Sequence, residues 1–156
     1  TQLDPHTCWM ILRSLETLNL RMERASDSAK KVAAWLADNP YLKCRVMHAD
    51  HHIGAAAKRV FARQSSAPGS TFSFVLDGDR NFAFRLINRL QLFKLAVSLG
   101  GSESLVCHPA STTHSGVPAD MRKAAGIDEG LVRLSIGLEH ADNLIADLDN
   151  AFKGGF

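Results

Sequence analysis

The chain has 156 residues, 46% of them hydrophobic and 22% charged, which is the composition of an ordinary globular domain with one core, so a single domain over residues 1–156 is expected. Its 18 basic and 16 acidic residues leave a formal charge of +2 without a long run of either sign, which argues against nucleic acid or a membrane surface as partner. No apolar stretch approaches the ~20 residues that cross a bilayer, no basic-then-apolar leader opens the chain, and Cys8, Cys44 and Cys107 form no C-x-x-C pair, so a reducing, cytoplasmic setting is expected without disulfides or a thiolate metal site.

Asp4-Pro5 has the pattern of an N-cap and first helical residue, and Asn39-Pro40 is the next strong stop. Between them Ile11, Leu15, Leu18, Met22, Ala25, Ala29, Val32 and Leu36 recur at steps of four and three, a narrow apolar seam on one helical face. A straight helix of this length would run about 50 Å, against a radius of gyration of about 15 Å for a compact domain of this size. The helix is therefore expected either to bend, with Ser26-Asp27-Ser28 as the place, or to pack its N-terminal half on protein outside this chain.

Leu42 to Met47 alternates as a half-buried strand and ends in the polar run His48 to His52, read as a surface loop. Ala55 to Arg63 has helix-forming composition and Ser65 to Ser70 is a loop. A strand follows at Thr71 to Leu76, with Phe72 and Phe74 on one face, then a helix through Phe82, Leu86 and Leu90 and a short strand at Leu92 to Val97. Gly100-Gly101 breaks the pattern. Ser104 to Cys107 extends again, Pro109 to Val117 is a Ser/Thr-rich loop, and Pro118 opens a short helix that Gly126 ends. Leu131 to Ile136 is the clearest late strand, and Glu139 to Phe152 is a helix with Leu144, Ile145, Leu148 and Phe152 inward. The expected fold is α+β, helices packed on a small, mostly antiparallel sheet.

Three places invite a chemical reading. In Leu131 to Gly137, alternation sends Val132, Leu134 and Ile136 to one face and Arg133 and Ser135 to the other. A guanidinium among apolar neighbours is costly unless paired, and its fork of donors suits a carboxylate, so Arg133 is either an anion-binding group or an ordinary surface arginine; periodicity leaves both open. The turn Val97 to Ser104 contains paired glycines that let backbone N–H groups approach a ligand, with Ser98 as a donor, although it lacks G-x-G-x-x-G spacing and also fits a plain tight turn. His48, His51 and His52, and separately His108 and His114, cluster without any established ligand spacing, so no metal is expected. A Ser–His–acid triad has no nucleophile-elbow motif behind it.

Taken together, several blocks resemble the Cys/Met-metabolism pyridoxal-phosphate enzymes, the cystathionine γ-synthase and methionine γ-lyase family. The run Leu90 to Leu105 is similar to their strand followed by an S-L-G-G turn, and His108-Pro109-Ala110-Ser111-Thr112-Thr113-His114-Ser115 to their H-P-A-x-x-T-H-x block. Ala125 to Glu139 resembles their G-I-x-x-x-L-[VI]-R-L-S-V-G-[LI]-E signature, and Leu12 to Leu18 with Leu20 to Arg24 their L-R-G-L-K-T-L and L-R-M-x-R run. The blocks stand in the family's order over nearly the whole chain.

The resemblance implies the small C-terminal domain of a fold type I enzyme, closing over pyridoxal 5'-phosphate held mainly by a larger domain that is absent from this chain. It implies that Arg133 binds the α-carboxylate of an amino-acid substrate, that Ser98 helps hold it, and that Thr113 lies at the site's edge. It implies no catalytic or cofactor-binding residue within the chain: Lys30, Lys31, Lys43, Lys58, Lys94, Lys123 and Lys153 stand in no sequence similar to the family's Schiff-base lysine motif. Where the family usually has Y-P-G-L-x-[ST]-x-P, this chain has His48 to Gly54. Val97, where an acid would favour cystathionine cleavage, leans the resemblance toward methionine γ-lyase or homoserine sulfhydrylase types, and a homotetramer is implied for the whole protein. Two readings without catalysis stand beside it: a stand-alone amino-acid-binding module, and a docking or oligomerisation domain built on the long first helix.

Overall fold

The structure is a computed structural model that describes residues 2–39, 42, 44–51 and 54–154. Among these residues lie α1 (Pro5–Leu15), α2 (Leu18–Asp38), β1 (Cys44–Met47), α3 (Ala55–Gln64), β2 (Thr71–Leu76), α4 (Arg80–Arg89), β3 (Lys94–Leu95), β4 (Leu105–Cys107), α5 (Ala119–Ala124), β5 (Leu131–Ser135) and α6 (Ala141–Lys153), with a 3-10 turn at Pro109–Ser111. The fold is α+β. Its five strands form one sheet in the order β1-β2-β5-β4-β3, antiparallel throughout except for the β3–β4 pair.

Strand alternation puts Val46, Phe72, Phe74, Leu76, Val106, Val132, Leu134 and Ile136 into the core, where they meet α2, α4 and α6. The helices answer with Ala29, Val32, Ala33 and Leu36 from α2, Ala83 and Leu86 from α4, and Leu144, Leu148, Ala151 and Phe152 from α6. The expected inward residues of α6 are there, with Ile145 half-buried against the same cluster. Asp79 caps α4 by accepting from the Phe82 N–H at 2.9 Å. Gly126, with φ +74°, ends the short α5 segment as expected.

The N-terminal helical stretch departs from expectation in the place where it breaks. Asp4 does cap α1, accepting from the Thr7 N–H at 3.0 Å with Pro5 as the first helical residue. The break falls at Glu16–Thr17, and Ser26 and Ser28 are buried inside an unbroken α2. Arg21 secures the joint: its guanidinium donates to the Ser14 carbonyl at 2.7 Å and to Thr17 Oγ1 at 3.2 Å, satisfying an acceptor the end of α1 leaves open. The apolar seam then divides. Ala25, Ala29, Val32 and Leu36 are buried, while Ile11, Leu15, Leu18 and Met22 are exposed, and α1 buries no residue.

Two strand readings are also corrected. The stretch Leu92–Val97 pairs only at Lys94–Leu95, because Asp147 draws the backbone of residues 91–93 toward α6 before the strand begins. The first strand starts at Cys44, with Lys43 outside the described residues. Nor is His48 part of a surface loop: it is 3% exposed and meets the Phe72 ring edge-on at 5.5 Å, while His52 lies outside the described residues. No helix among the described residues is long and apolar enough to cross a membrane.

Candidate functional site

The face of the sheet opposite the helices carries a row of paired residues, Met47–Ser73–Arg133–Cys107, one from each of β1, β2, β5 and β4. Arg133 stands at its centre because β5 is the middle strand and alternation turns residue 133 away from Val132 and Leu134. The arginine is half-buried, with Ser73 and Cys107 as its direct cross-strand neighbours. Burial raises the pKa of the Cys107 thiol against the opposing pull of the Arg133 charge, so this neighbour is a neutral one.

The Arg133 guanidinium donates to the Val97 carbonyl at 2.9 Å and to the Ser98 carbonyl at 3.4 Å. Both bonds use one terminal nitrogen, and among the described residues the other donors of the fork have no hydrogen-bond partner and Arg133 has no carboxylate partner. Ser98 is exposed on the turn that Arg133 grips, its hydroxyl without a hydrogen-bond partner among the described residues. The fold thus brings Arg133 and Ser98, 35 positions apart, to one place. A cation aimed by two carbonyls, one of them that of Ser98, and without a carboxylate partner among the described residues is suited to an anion with two oxygens.

Thr113, the third residue singled out, is exposed and shares its hydrogen bond, at 2.8 Å, with His114 Nδ1 rather than with Arg133 or the turn. His108, which opens the same block, is a structural group. Its Nε2–H donates to the Glu129 carbonyl at 2.8 Å and its Nδ1 pairs with the Ser111 hydroxyl at 2.8 Å, so both ring nitrogens are satisfied. The Glu129 carboxylate in turn bridges Arg80 at 2.8 Å and Arg122 at 3.0 Å, and those hydrogen bonds hold it below the usual carboxylate range.

Sequence reasoning missed the groups that hold the site together. Ser135, which alternation puts on the Arg133 face, accepts through its hydroxyl from the Gly100 N–H at 2.9 Å. Glu139 accepts from both the N–H and the hydroxyl of Ser104 at 2.8 Å. Asp147, buried on α6, accepts from the N–H groups of Gln91, Leu92 and Phe93 and so aims the chain into β3. A carboxylate on the otherwise apolar inward stripe of a helix was the legible signal for the last of these.

The sequence profile of the Cys/Met metabolism PLP-dependent enzymes matches residues 1–153. The chain belongs to this family. It is 44% identical over 154 residues to an L-methionine gamma-lyase of Pseudomonas putida, covering 97% of this chain and 37% of that protein. It is 41% identical over 145 residues to the cystathionine gamma-synthase of Escherichia coli K12, covering 93% and 37%. In three dimensions it is similar, with a TM-score of 0.87 and 40% identity over 97% of this chain and 36% of the other, to a Campylobacter jejuni protein described as a putative O-acetylhomoserine (thiol)-lyase, whose crystal structure contains N'-pyridoxyl-lysine-5'-monophosphate. That likeness makes the fold that of fold type I pyridoxal-phosphate enzymes. The chain spans a little over a third of the length of the relatives it matches.

The family's cofactor needs a lysine whose amine is made nucleophilic by desolvation or a neighbouring charge. The described lysines offer no such amine. Lys30, Lys31, Lys58, Lys94, Lys123 and Lys153 are all exposed, with Lys94 Nζ donating to the Gln91 carbonyl and Lys153 paired with Asp149. Among the described residues no lysine therefore fits the family's cofactor attachment.

Proposed function

We propose that this chain is the C-terminal, substrate-carboxylate-binding domain of a pyridoxal-phosphate-dependent enzyme that performs γ-elimination or γ-replacement on sulfur amino acids or O-acylated homoserine. The observation that carries the reading is the Arg133 guanidinium, unpaired among the described residues, held by the Val97 and Ser98 carbonyls in the centre of the sheet face. Arg133 receives the α-carboxylate of the amino acid through the donors it has free, and the Ser98 hydroxyl donates to the same group. Two points of attachment fix the substrate's rotation, so that the bonds to be broken present themselves in one orientation; this is positioning, which contributes to rate without forming any bond. Pyridoxal phosphate, when bound, supplies the electron sink for the reaction. In this reading it is held by a larger domain outside this chain, which is inactive alone, and Thr113 sits at the rim of the site.

The exposed apolar face of α1 supports a partner domain over a free-standing amino-acid-binding module, since contiguous apolar surface of this kind marks an interface. A purely docking or oligomerisation role would use the same face and leave Arg133 idle. Val97 in the place before Ser98 leans the reading toward methionine γ-lyase or homoserine sulfhydrylase chemistry. The whole enzyme is proposed to be a cytoplasmic homo-oligomer, a homotetramer by its family.

The first experiment is the intact mass and visible absorbance of the native protein with pyridoxal phosphate, followed by Arg133→Ala. A protein more than twice the mass of this chain, with an absorbance band from lysine-bound cofactor, supports the reading. Arg133→Ala is then expected to raise KM for the amino acid about a hundredfold, the loss of two charge-assisted hydrogen bonds at ~1.4 kcal/mol per tenfold. A species of this chain's own mass without the band, or an unchanged KM, overturns it.

A further inference from the structure

From Arg133 to Glu139 the chain holds a succession of points on the turn 97–104. Arg133 grips the carbonyls of Val97 and Ser98, and Ser135 Oγ accepts the Gly100 N–H at 2.9 Å. Farther on, the Leu138 N–H donates to the Ser102 carbonyl at 2.8 Å and the Gly137 N–H to Ser104 Oγ at 2.9 Å. The Glu139 carboxylate closes the run by accepting twice from Ser104 at 2.8 Å. The two strips approach so closely that a Cβ on Gly137 would run into the Ser102 carbonyl oxygen and come within 2.6 Å of the Glu103 carbonyl carbon. Ser104 is fully buried and Ser135 is 2% exposed.

Ser98 has no such attachment among the described residues beyond its carbonyl: it is exposed, and two residues later Gly100 turns the chain through φ +71°, a left-handed conformation that glycine adopts without strain. Upstream it is anchored by the Ala96 N–H on the Val106 carbonyl at 3.1 Å and by the grip of Arg133; downstream its place depends on the contacts at 100, 102 and 104. Ordering a residue's backbone costs about 1–2 kcal/mol, and a turn already ordered before the ligand arrives spares binding that cost.

We infer that Ser135 and Glu139 are positioning residues of the carboxylate site, holding the 97–104 turn against β5 so that the Ser98 hydroxyl and the Arg133 guanidinium face one carboxylate. Neither touches the substrate. The inference rests on the proposed role of Arg133 and Ser98 as the carboxylate clamp.

The test uses the full-length protein carrying this chain, loaded with pyridoxal phosphate, and two probes: L-norleucine, and 1-pentylamine, which is the same molecule without its carboxylate. Calorimetric Kd values are compared for wild type, Ser135→Ala, Glu139→Gln and Arg133→Ala, with hydrogen exchange of segment 97–104 as a second readout. Ser135→Ala and Glu139→Gln are each expected to weaken L-norleucine about tenfold, the worth of one such hydrogen bond, to change 1-pentylamine by less than about twofold, and to speed exchange in the turn. Equal losses for both probes would assign these residues a general structural role and overturn the inference, as would unchanged L-norleucine binding. Should one variant fail to fold, the other carries the same comparison. Arg133→Ala separates the two claims. Selective loss of L-norleucine there, with none in Ser135→Ala or Glu139→Gln, leaves the carboxylate site standing and removes only the positioning role, whereas no loss in Arg133→Ala removes the site itself.

Discussion

The two halves of the long apolar seam share one periodicity and have opposite fates. In α2, Ala29, Val32 and Leu36 are sealed between the sheet and α6. In α1, the same spacing leaves Ile11 and Leu15 exposed, and Leu12 beside them is 64% exposed. Helical patterning specifies a face that needs covering and says nothing of what covers it. The buried half is answered by β-strands within the chain; the exposed half is answered by nothing within the described residues.

That contrast predicts a steep gradient of mutational cost. The largest effect belongs to Phe74→Ala, which empties a fully buried site in β2 between β1 and β5 and is expected to destabilise the chain by about 3–5 kcal/mol in urea denaturation. A cost near zero would mean that the sheet core is not packed as described. Asp147→Ala comes next. It strips three backbone N–H groups of a charged acceptor in a part-buried corner, and about 3 kcal/mol is expected. Asp147→Asn, which keeps one acceptor oxygen, should fall between that variant and wild type.

The sequence made the sheet legible because Thr71 to Leu76 and Leu131 to Ile136 alternate cleanly, and it made α6 legible through its inward stripe. Family blocks pointed to Arg133 and Ser98, which alternation alone could not separate from a surface pair. What stayed illegible was long-range and polar. The Ser135–Gly100 and Glu139–Ser104 bonds join residues 35 positions apart and leave no periodic trace. The helix joint at Glu16–Thr17 was hidden because the apolar seam runs through it undisturbed, and the polar Ser26–Ser28 stretch that looked like a break is accommodated by burial within α2. His48 was hidden by its polar neighbours, although continuing the alternation of Cys44 and Val46 would have turned it inward.

His48 supplies a smaller effect that depends on pH. Its Nδ1 accepts from the Asp50 N–H at 3.2 Å, and Nε2 is buried without a partner among the described residues. Burial lowers its pKa from the ordinary 6.5; Asp50 opposes that shift, while His51 and Lys30 add to it. The unfolded chain therefore takes up a proton that the folded chain refuses. The stabilisation is fully present above the unfolded value of 6.5 and is lost as pH falls from there toward the folded value. Thermal melts at about pH 7.5 and about pH 5.5 should differ by a contribution of at most about 1.4 kcal/mol that His48→Gln removes. A slope unchanged in that variant would place the proton elsewhere.

The smallest effect on the chain itself is expected in the arm, where it sharpens the contrast most. Leu12→Ser on α1 should leave the stability of the chain within about 0.5 kcal/mol of wild type, because an exposed side chain forfeits no burial when it is shortened. In the longer protein proposed here the same substitution removes apolar area from an interface and should lower its melting temperature measurably while leaving the chain's own melt in place. Equal insensitivity in both would mean that α1 covers nothing and that its seam is a surface feature. A substantial loss in the chain alone would mean that α1 is part of the core after all, and the division between buried and exposed halves of the seam would fall with it.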